Sequence, residues 1–137
     1  MVGENGHPRY KDIIPLVSVI IPTNNSAKKI VFCLESIKAQ THERIEILVI
    51  DNYSSDNTLE IASKFGTNIF LCRGKRTKAK NFGISQSSCG FLLFVDSDVI
   101  LDSHVIEECI RACSGNSKSA GVIIPEHSTG SGFWGSR

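Results

Sequence analysis

The 137-residue chain is 41% hydrophobic and carries 15 basic against 14 acidic residues, a formal charge of +1. That length and apolar content suit one domain around one core, burying about two-thirds of the surface of the unfolded chain. The near-neutral balance excludes a whole-chain attraction to nucleic acid or anionic membranes, so any charge-based function has to be local.

Residues 1–15 open with MVGENGHPRYKD, which lacks the basic-then-apolar layout of a signal peptide and reads as a flexible lead. Residues 16–21 (LVSVII) are a β-branched run and predict a buried strand that stops at Pro22. From 28 to 40, Ile30, Val31, Leu34 and Ile37 recur at helical spacing. Residues 45–50 (IEILVI) predict a second strand, with Asp51 at its end before the polar run NYSSDN. Asp56 or Ser55 can cap the next helix, whose inner stripe is Leu59, Ala62 and Phe65 and whose stop is Gly66.

A short third strand covers 68–72. The run RGKRTKAKNFG then sets five basic residues between Arg73 and Lys80, leading into a helix with Ala79, Phe82 and Gly83 inward. Residues 91–95 predict a fourth strand that delivers Asp96 and Asp98. Val105, Ile106, Cys109, Ile110 and Cys113 mark the inner face of a helix ending at Gly115. A fifth apolar run, 120–124, precedes Pro125. Residues 126–137 are rich in Gly and Ser and hold Phe133 and Trp134 in a loop-like setting, as if more chain were meant to follow.

Strands alternating with helices indicate an α/β fold over 16–125, with a mostly parallel sheet and helices on both faces. The longest apolar runs fall well short of the roughly 20 residues that span a bilayer. Five dispersed cysteines, an odd number, fit a reduced, cytoplasmic protein, or one at the cytoplasmic face of a membrane if a longer parent carries an anchor. Cys109 and Cys113 stand four apart but lack the companions of a zinc set.

In an open parallel sheet, ligands bind beyond the carboxyl ends of the strands, near the point where strand order reverses. Pro22-Thr23-Asn24-Asn25, Asp51, the segment 73–80, and Asp96 with Asp98 all follow such ends, so they are expected on one rim. Acids beside a basic segment suit a nucleotide whose phosphates are reached through a divalent cation, and hard oxygen ligands suit Mg2+ or Mn2+. In an extended segment Asp96 and Asp98 point the same way, with Ser97 opposite. A turn or the start of the next helix accounts for DSD equally well. Asp51 reads as a hydrogen-bond acceptor for a base or as a turn former. Lys75, Arg76 and Lys78 read individually as a solvated face, whereas Lys80 enters the helix beside the rim.

Together VSVIIPTNN, IEILVIDNYSSDNTLEIA, RGKRTKAKNFGI and GFLLFVDSDVIL, in this order, resemble the donor-binding half of an inverting family 2 glycosyltransferase of the GT-A fold, a Rossmann-like nucleotide-diphospho-sugar-binding architecture. The resemblance implies that Pro22, Thr23, Asn24 and Asn25 lie against the nucleotide and that Asp51 accepts a hydrogen bond from the base. It places Lys80, or Arg76, by the diphosphate, and matches Asp96, Ser97 and Asp98 to the DxD motif. There the first acid holds ribose or sugar hydroxyls and the second coordinates Mn2+ or Mg2+. The implied partner is a UDP-, GDP- or dTDP-sugar, and the acceptor is open. Two departures stand out: Asn24 and Ser26 replace a commoner aromatic and acid, and Asp51-Asn52 replaces a commoner pair of acids.

The family's catalytic base is expected beyond Arg137, so the chain reads as a donor-binding portion with no catalytic residue of its own. Glu126 and His127 read as an ordinary polar loop. The alternatives are a nucleotidyltransferase that makes nucleotide-sugars, whose glycine-rich phosphate loop IPTNNSAKK lacks, a receiver-like module with Asp51 as phospho-acceptor, and a partner-binding scaffold.

Overall fold

A computed structural model of the chain describes residues 14–88, 90–114 and 122–123. The expectations for residues before 14, Cys89, Gly115, the remainder of 120–124, Pro125 and 126–137 with Glu126, His127, Phe133 and Trp134 lie outside the described residues, as does the Cys113 side chain.

The elements run β1 (Val17–Thr23), α1 (Ala27–Lys38), β2 (Ile45–Asp51), α2 (Thr58–Ser63), β3 (Asn68–Leu71), α3 (Arg76–Gln86), β4 (Phe91–Phe94), α4 (Val105–Ser114) and β5 (Val122–Ile123). They form a five-stranded sheet in the order β3-β2-β1-β4-β5, with every pairing parallel. The chain moves outward from β1 through β2 to β3, then returns to place β4 on β1's other side. The order therefore reverses between β1 and β4, where adjoining loops part and leave a crevice.

Alternation along the strands divides the core in two. Val17, Val19, Ile21, Ile47, Val49, Leu93 and Val95 face α1, α2 and α4, meeting Ile30, Cys33, Leu34, Ile37, Ala62 and Ile106. Ile20, Leu48, Ile50 and Phe94 face the other way, where among the described residues α3 is the helix that covers them, through Ala79 and the half-buried Phe82. A helix of polar, weakly amphipathic sequence can serve there because Gly83 lets it approach closely: a Cβ at Gly83 would lie 2.6 Å from Ile20 Cγ2. Fully burying a side chain the size of Ile20 contributes about 2 kcal/mol, so this contact is energetically significant.

Two expected boundaries need correction. β1 does not stop at Pro22; it runs on to Thr23, with Pro22 opposite Ile50. The Ile20 carbonyl accepts from Val95 N–H at 3.0 Å, so Pro22, two residues on, turns its missing N–H toward the side where β4 has already ended at Phe94. The ladder loses nothing there. The basic run, in turn, is divided: Arg73 and Lys75 lead into α3, which begins at Arg76, and Arg76, Lys78 and Lys80 lie in its first turns. At α2, Asn57 holds the cap position without a side-chain capping bond, and Asp56 accepts the Thr58 N–H at 3.0 Å instead.

At the opposite end of the sheet, the Glu46 carboxylate accepts from the buried Ser18 hydroxyl at 2.5 Å and from Ser88 N–H at 2.9 Å. Among the described residues no helix is long and apolar enough to cross a membrane.

Candidate functional site

Four loops meet above the carboxyl edge of the sheet. The loop after β1 is held to the loop after β2: Asn25 Oδ1 accepts from Ser55 N–H at 2.7 Å and Asp56 N–H at 3.2 Å, and Asn25 N–H donates to Ser54 Oγ at 2.7 Å. Asn25 takes a left-handed φ of 51°, which asparagine tolerates better than most residues. Asp56 ties two helix starts together, accepting from Ala27 N–H of α1 at 3.1 Å as well as from α2. The Thr58 hydroxyl, followed by these backbone donors, holds its carboxyl below the usual range.

The acid-bearing segment after β4 is a turn and not an extended strand, because Val99 N–H donates to the Asp96 carbonyl at 3.0 Å. The alternation expected for Asp96 and Asp98 therefore does not apply, yet the turn presents both acids to the same cavity. It is fastened from below by α1 and by Gln40, just past its end. The Cys33 thiol donates to the Asp96 carbonyl at 3.7 Å, Ser36 Oγ accepts from Leu101 N–H at 3.0 Å, and Gln40 donates to the Asp102 carbonyl at 2.5 Å. Burial, followed by the negative charges of Asp98 and Asp96, pushes the Cys33 thiol up to about 12.

Two adjoining cavities occupy the crevice. The first, about 360 Å3, has an apolar floor of Pro22, Ile50 and Ala79 and walls of Thr23, Asn24, Asn52, Gly74 and Lys75. The second, about 470 Å3, is charged: Asn25, Lys28, Lys29, Asp56, Asp96 and Asp98 line it. Ser26, Arg76 and Ser97 line both and mark where they join. At that junction Ser97 Oγ donates to Ser26 Oγ at 3.0 Å, and Arg76 sits 3.5 Å from Asp96 with both side chains substantially exposed. So open a pair contributes little to stability.

Most of the residues singled out in the sequence come together here. Pro22, Thr23 and Asn24 line the first cavity, Asn25, Asp96 and Asp98 the second, and Arg76 and Ser97 both. Two do not. Lys80 lines neither cavity and lies instead with Nζ 5.6 Å from the centroid of the Phe94 ring, whereas Arg76 lines both. Asp51 has no exposed surface; its carboxylate accepts from Thr23 Oγ1 at 2.5 Å, Ser54 Oγ at 2.6 Å and Ser54 N–H at 2.7 Å. A carboxylate without surface cannot take up a phosphoryl group, so the receiver-like alternative loses its acceptor.

Sequence reasoning passed over Ser26, Lys28, Lys29 and Asn52 as lining residues. Ser26 looks like a helix cap, but at the N-cap of α1 it makes no capping bond and turns its hydroxyl to the rim. Of the two residues that anchor the acidic turn, Ser36 could have been found as a polar residue on the otherwise apolar inner face of α1, whereas Gln40 lies two residues past the helix end.

With this geometry in view, comparison with known proteins is decisive. Residues 18–137 match Glycosyl transferase family 2. The chain belongs to that family. It is 35% identical over 116 residues to glycosyltransferase GlyG of Streptococcus pneumoniae, a match covering 80% of this chain and 38% of GlyG. The fold is similar to that of residues 1–349 of Staphylococcus aureus TarS in complex with UDP-GlcNAc, at TM-score 0.65 and 29% identity over 74% of this chain and 32% of that segment. It is similar too to the mannosyltransferase PcManGT from Pyrobaculum calidifontis in complex with GDP-Man and Mn2+, at TM-score 0.61 and 25% identity over 71% of this chain and 32% of that one. This family 2 chain thus spans less than two-fifths of the length of the curated relatives it matches. Its parallel α/β sheet is the GT-A fold of those neighbours.

Proposed function

We propose that this family 2 chain binds a nucleoside-diphosphate sugar together with a divalent cation, as the donor-binding part of an enzyme that transfers the sugar to an acceptor hydroxyl with inversion. The observation that carries this reading is the pair of joined cavities at the sheet's switch point, one with an apolar floor and no acid in its walls, the other lined by both acids and lysines. A flat base suits the first and a diphosphate-sugar the second.

Within this reading the nucleoside rests on Pro22, Ile50 and Ala79, and Arg76 at the junction faces the diphosphate. Ser26 and Ser97 offer hydroxyls where the two cavities meet. Asp96 and Asp98 supply hard carboxylate oxygens at the open mouth of the second cavity, and among the described residues no group of three or more ligating side chains encloses a metal. That donor set fits Mg2+ or Mn2+, which keep positions for water and phosphate oxygens. When bound, such a cation offsets charge on the departing diphosphate. Relatives' ligands support the choice: TarS is seen with UDP-GlcNAc, and PcManGT with GDP-Man and Mn2+.

The acceptor hydroxyl would attack the anomeric carbon from the face opposite the diphosphate and give up its proton to a general base. Asp56 is spent on two helix starts, and Asp96 and Asp98 are assigned to donor and metal. Base and acceptor are therefore proposed to belong to the part of such enzymes that this chain does not span. Calorimetry with UDP, GDP and dTDP, with and without Mn2+, tests the reading. Metal-dependent binding that Asp98→Ala abolishes is expected; no binding with metal present, or binding indifferent to Asp98→Ala, would overturn it.

A further inference from the structure

The acids of the second cavity stand on residues 95–104, a segment without helix or strand between the end of β4 and the start of α4. Val99 and Leu101 of that segment are buried in the core, while Asp98 and Ile100 are exposed. One row of polar side chains holds it. Cys33, Ser36 and Gln40 follow at i, i+3 and i+7, which aligns them along α1 and just past its end. The Cys33 thiol donates to the Asp96 carbonyl, Ser36 Oγ accepts from Leu101 N–H, and Gln40 Nε2 donates to the Asp102 carbonyl. The row therefore meets the segment at its acidic turn and again at its far end.

Gln40 uses its whole carboxamide for this. Besides the bond to Asp102, Nε2 donates to the Ser36 carbonyl at 3.1 Å, and Oε1 accepts from Ile106 N–H at 3.0 Å. Two carbonyls on one side and an N–H on the other agree on which way round the group sits. Ile106 is the second residue of α4, whose first N–H groups have no partner inside the helix. One buried side chain thus joins the end of α1, the end of the acid-bearing segment and the start of α4. Ser36 is as fully engaged, its Oγ donating to the Cys33 carbonyl at 2.7 Å while it accepts from Leu101. Neither Ser36 nor Gln40 lines either cavity of the crevice.

We infer that Ser36 and Gln40 are positioning residues for the cation: they fix the backbone from which Asp96 and Asp98 reach it, and so set its affinity without touching metal or nucleotide. This rests on the metal-binding reading above. Two carboxylates on an open turn bind a cation well only if their backbone is held in place beforehand. Removing outer partners of this kind weakens metal binding about 10- to 100-fold. The floor of the first cavity, Pro22, Ile50 and Ala79, belongs to β1, β2 and α3, to which this row makes no hydrogen bond among the described residues. Nucleotide binding without metal is therefore independent of it.

The test is calorimetry on the 137-residue chain, titrating UDP and GDP without metal, then Mn2+ into the chain saturated with whichever of the two binds. Ser36→Ala and Gln40→Met should each weaken Mn2+ about tenfold and leave the metal-free nucleotide within about twofold. Ile37→Val, a truncation in the core beside Ser36, should lower thermal stability and leave Mn2+ affinity unchanged. In the unsubstituted chain the coupling must run both ways: saturating Mn2+ with nucleotide should slow hydrogen exchange at the Leu101 and Ile106 amides about tenfold. The inference is overturned if both variants keep the Mn2+ affinity, or if Ile37→Val loses as much as they do. It is overturned too if metal-free nucleotide weakens in step with the metal, or if exchange at both amides ignores the metal. An unsubstituted chain that binds nucleotide but no Mn2+ would bring down the metal reading itself, before any variant is compared.

Discussion

β2 and β4 end alike in sequence, each an apolar run followed by aspartate, and their acids meet opposite fates. Asp51 is paired on both sides, by Thr23 of β1 and Leu71 of β3, and is sealed into the sheet. Asp96 lies two residues past the end of β4, where the pairing with β1 has ceased, and its side chain stays 40% exposed. An acid flanked by strands that run as far as its own becomes part of the scaffold, supplied with donors by its neighbours. One that outruns its neighbours is left facing solvent, available to a ligand.

That contrast is open to direct attack. The largest effect is expected from Asp51→Ala, which orphans the buried Thr23 hydroxyl and the Ser54 donors; a loss of about 3 kcal/mol in urea unfolding follows from removing hydrogen bonds to a buried charge. A change under 1 kcal/mol would mean that Asp51 is no scaffold. Next comes Gly83→Ala, which drives a methyl group against Ile20 and lifts the helix carrying Arg76; about 2 kcal/mol is expected, with weakened nucleotide binding in the same preparation.

A smaller effect belongs to the far end of the sheet. Burial works to raise the Glu46 carboxyl, but hydrogen bonds from Ser18 and Ser88 outweigh it and hold it below its ordinary value of 4.5. A depressed folded value means stability that is present above pH 4.5 and lost as pH falls through the lower folded value. Glu46→Gln should cost about 1 kcal/mol or less at neutral pH, given its partial exposure, and flatten the acid limb of a stability profile as pH falls below 4.5. The smallest stability change, within about 0.5 kcal/mol, is expected for Asp98→Ala, an exposed residue, although the same substitution removes metal-dependent binding. A stability loss as large as that of Asp51→Ala would erase the distinction between the two strand ends.

The fold was largely legible because its strands are continuous apolar runs, 16–21, 45–50 and 91–95, separated by helices with clear inner stripes. The convergence of four segments followed from one rule of parallel sheets, and the cavities at the rim agree with it. Pro22 misled because a missing N–H harms a strand only on a side that is paired. Lys80 and Arg76 could not be told apart by position in the chain: four residues further along α3, the Lys80 ammonium lies beside Phe94, while Arg76 lines the crevice.

By itself the sequence determined the element order, the parallel sheet, the rim on which function gathers and the kinship of its motifs, all of which depend on local patterning and chain order. Only the tertiary structure decided which polar groups on that rim are spent and which are left to bind. Register made Asp51 a neighbour of Thr23 and enclosed it, and the meeting of two loops turned Asn52 toward the Gly74 carbonyl. Whether a donor or acceptor is available depends on its partners in space, and here those partners lie 22 to 28 residues away along the chain.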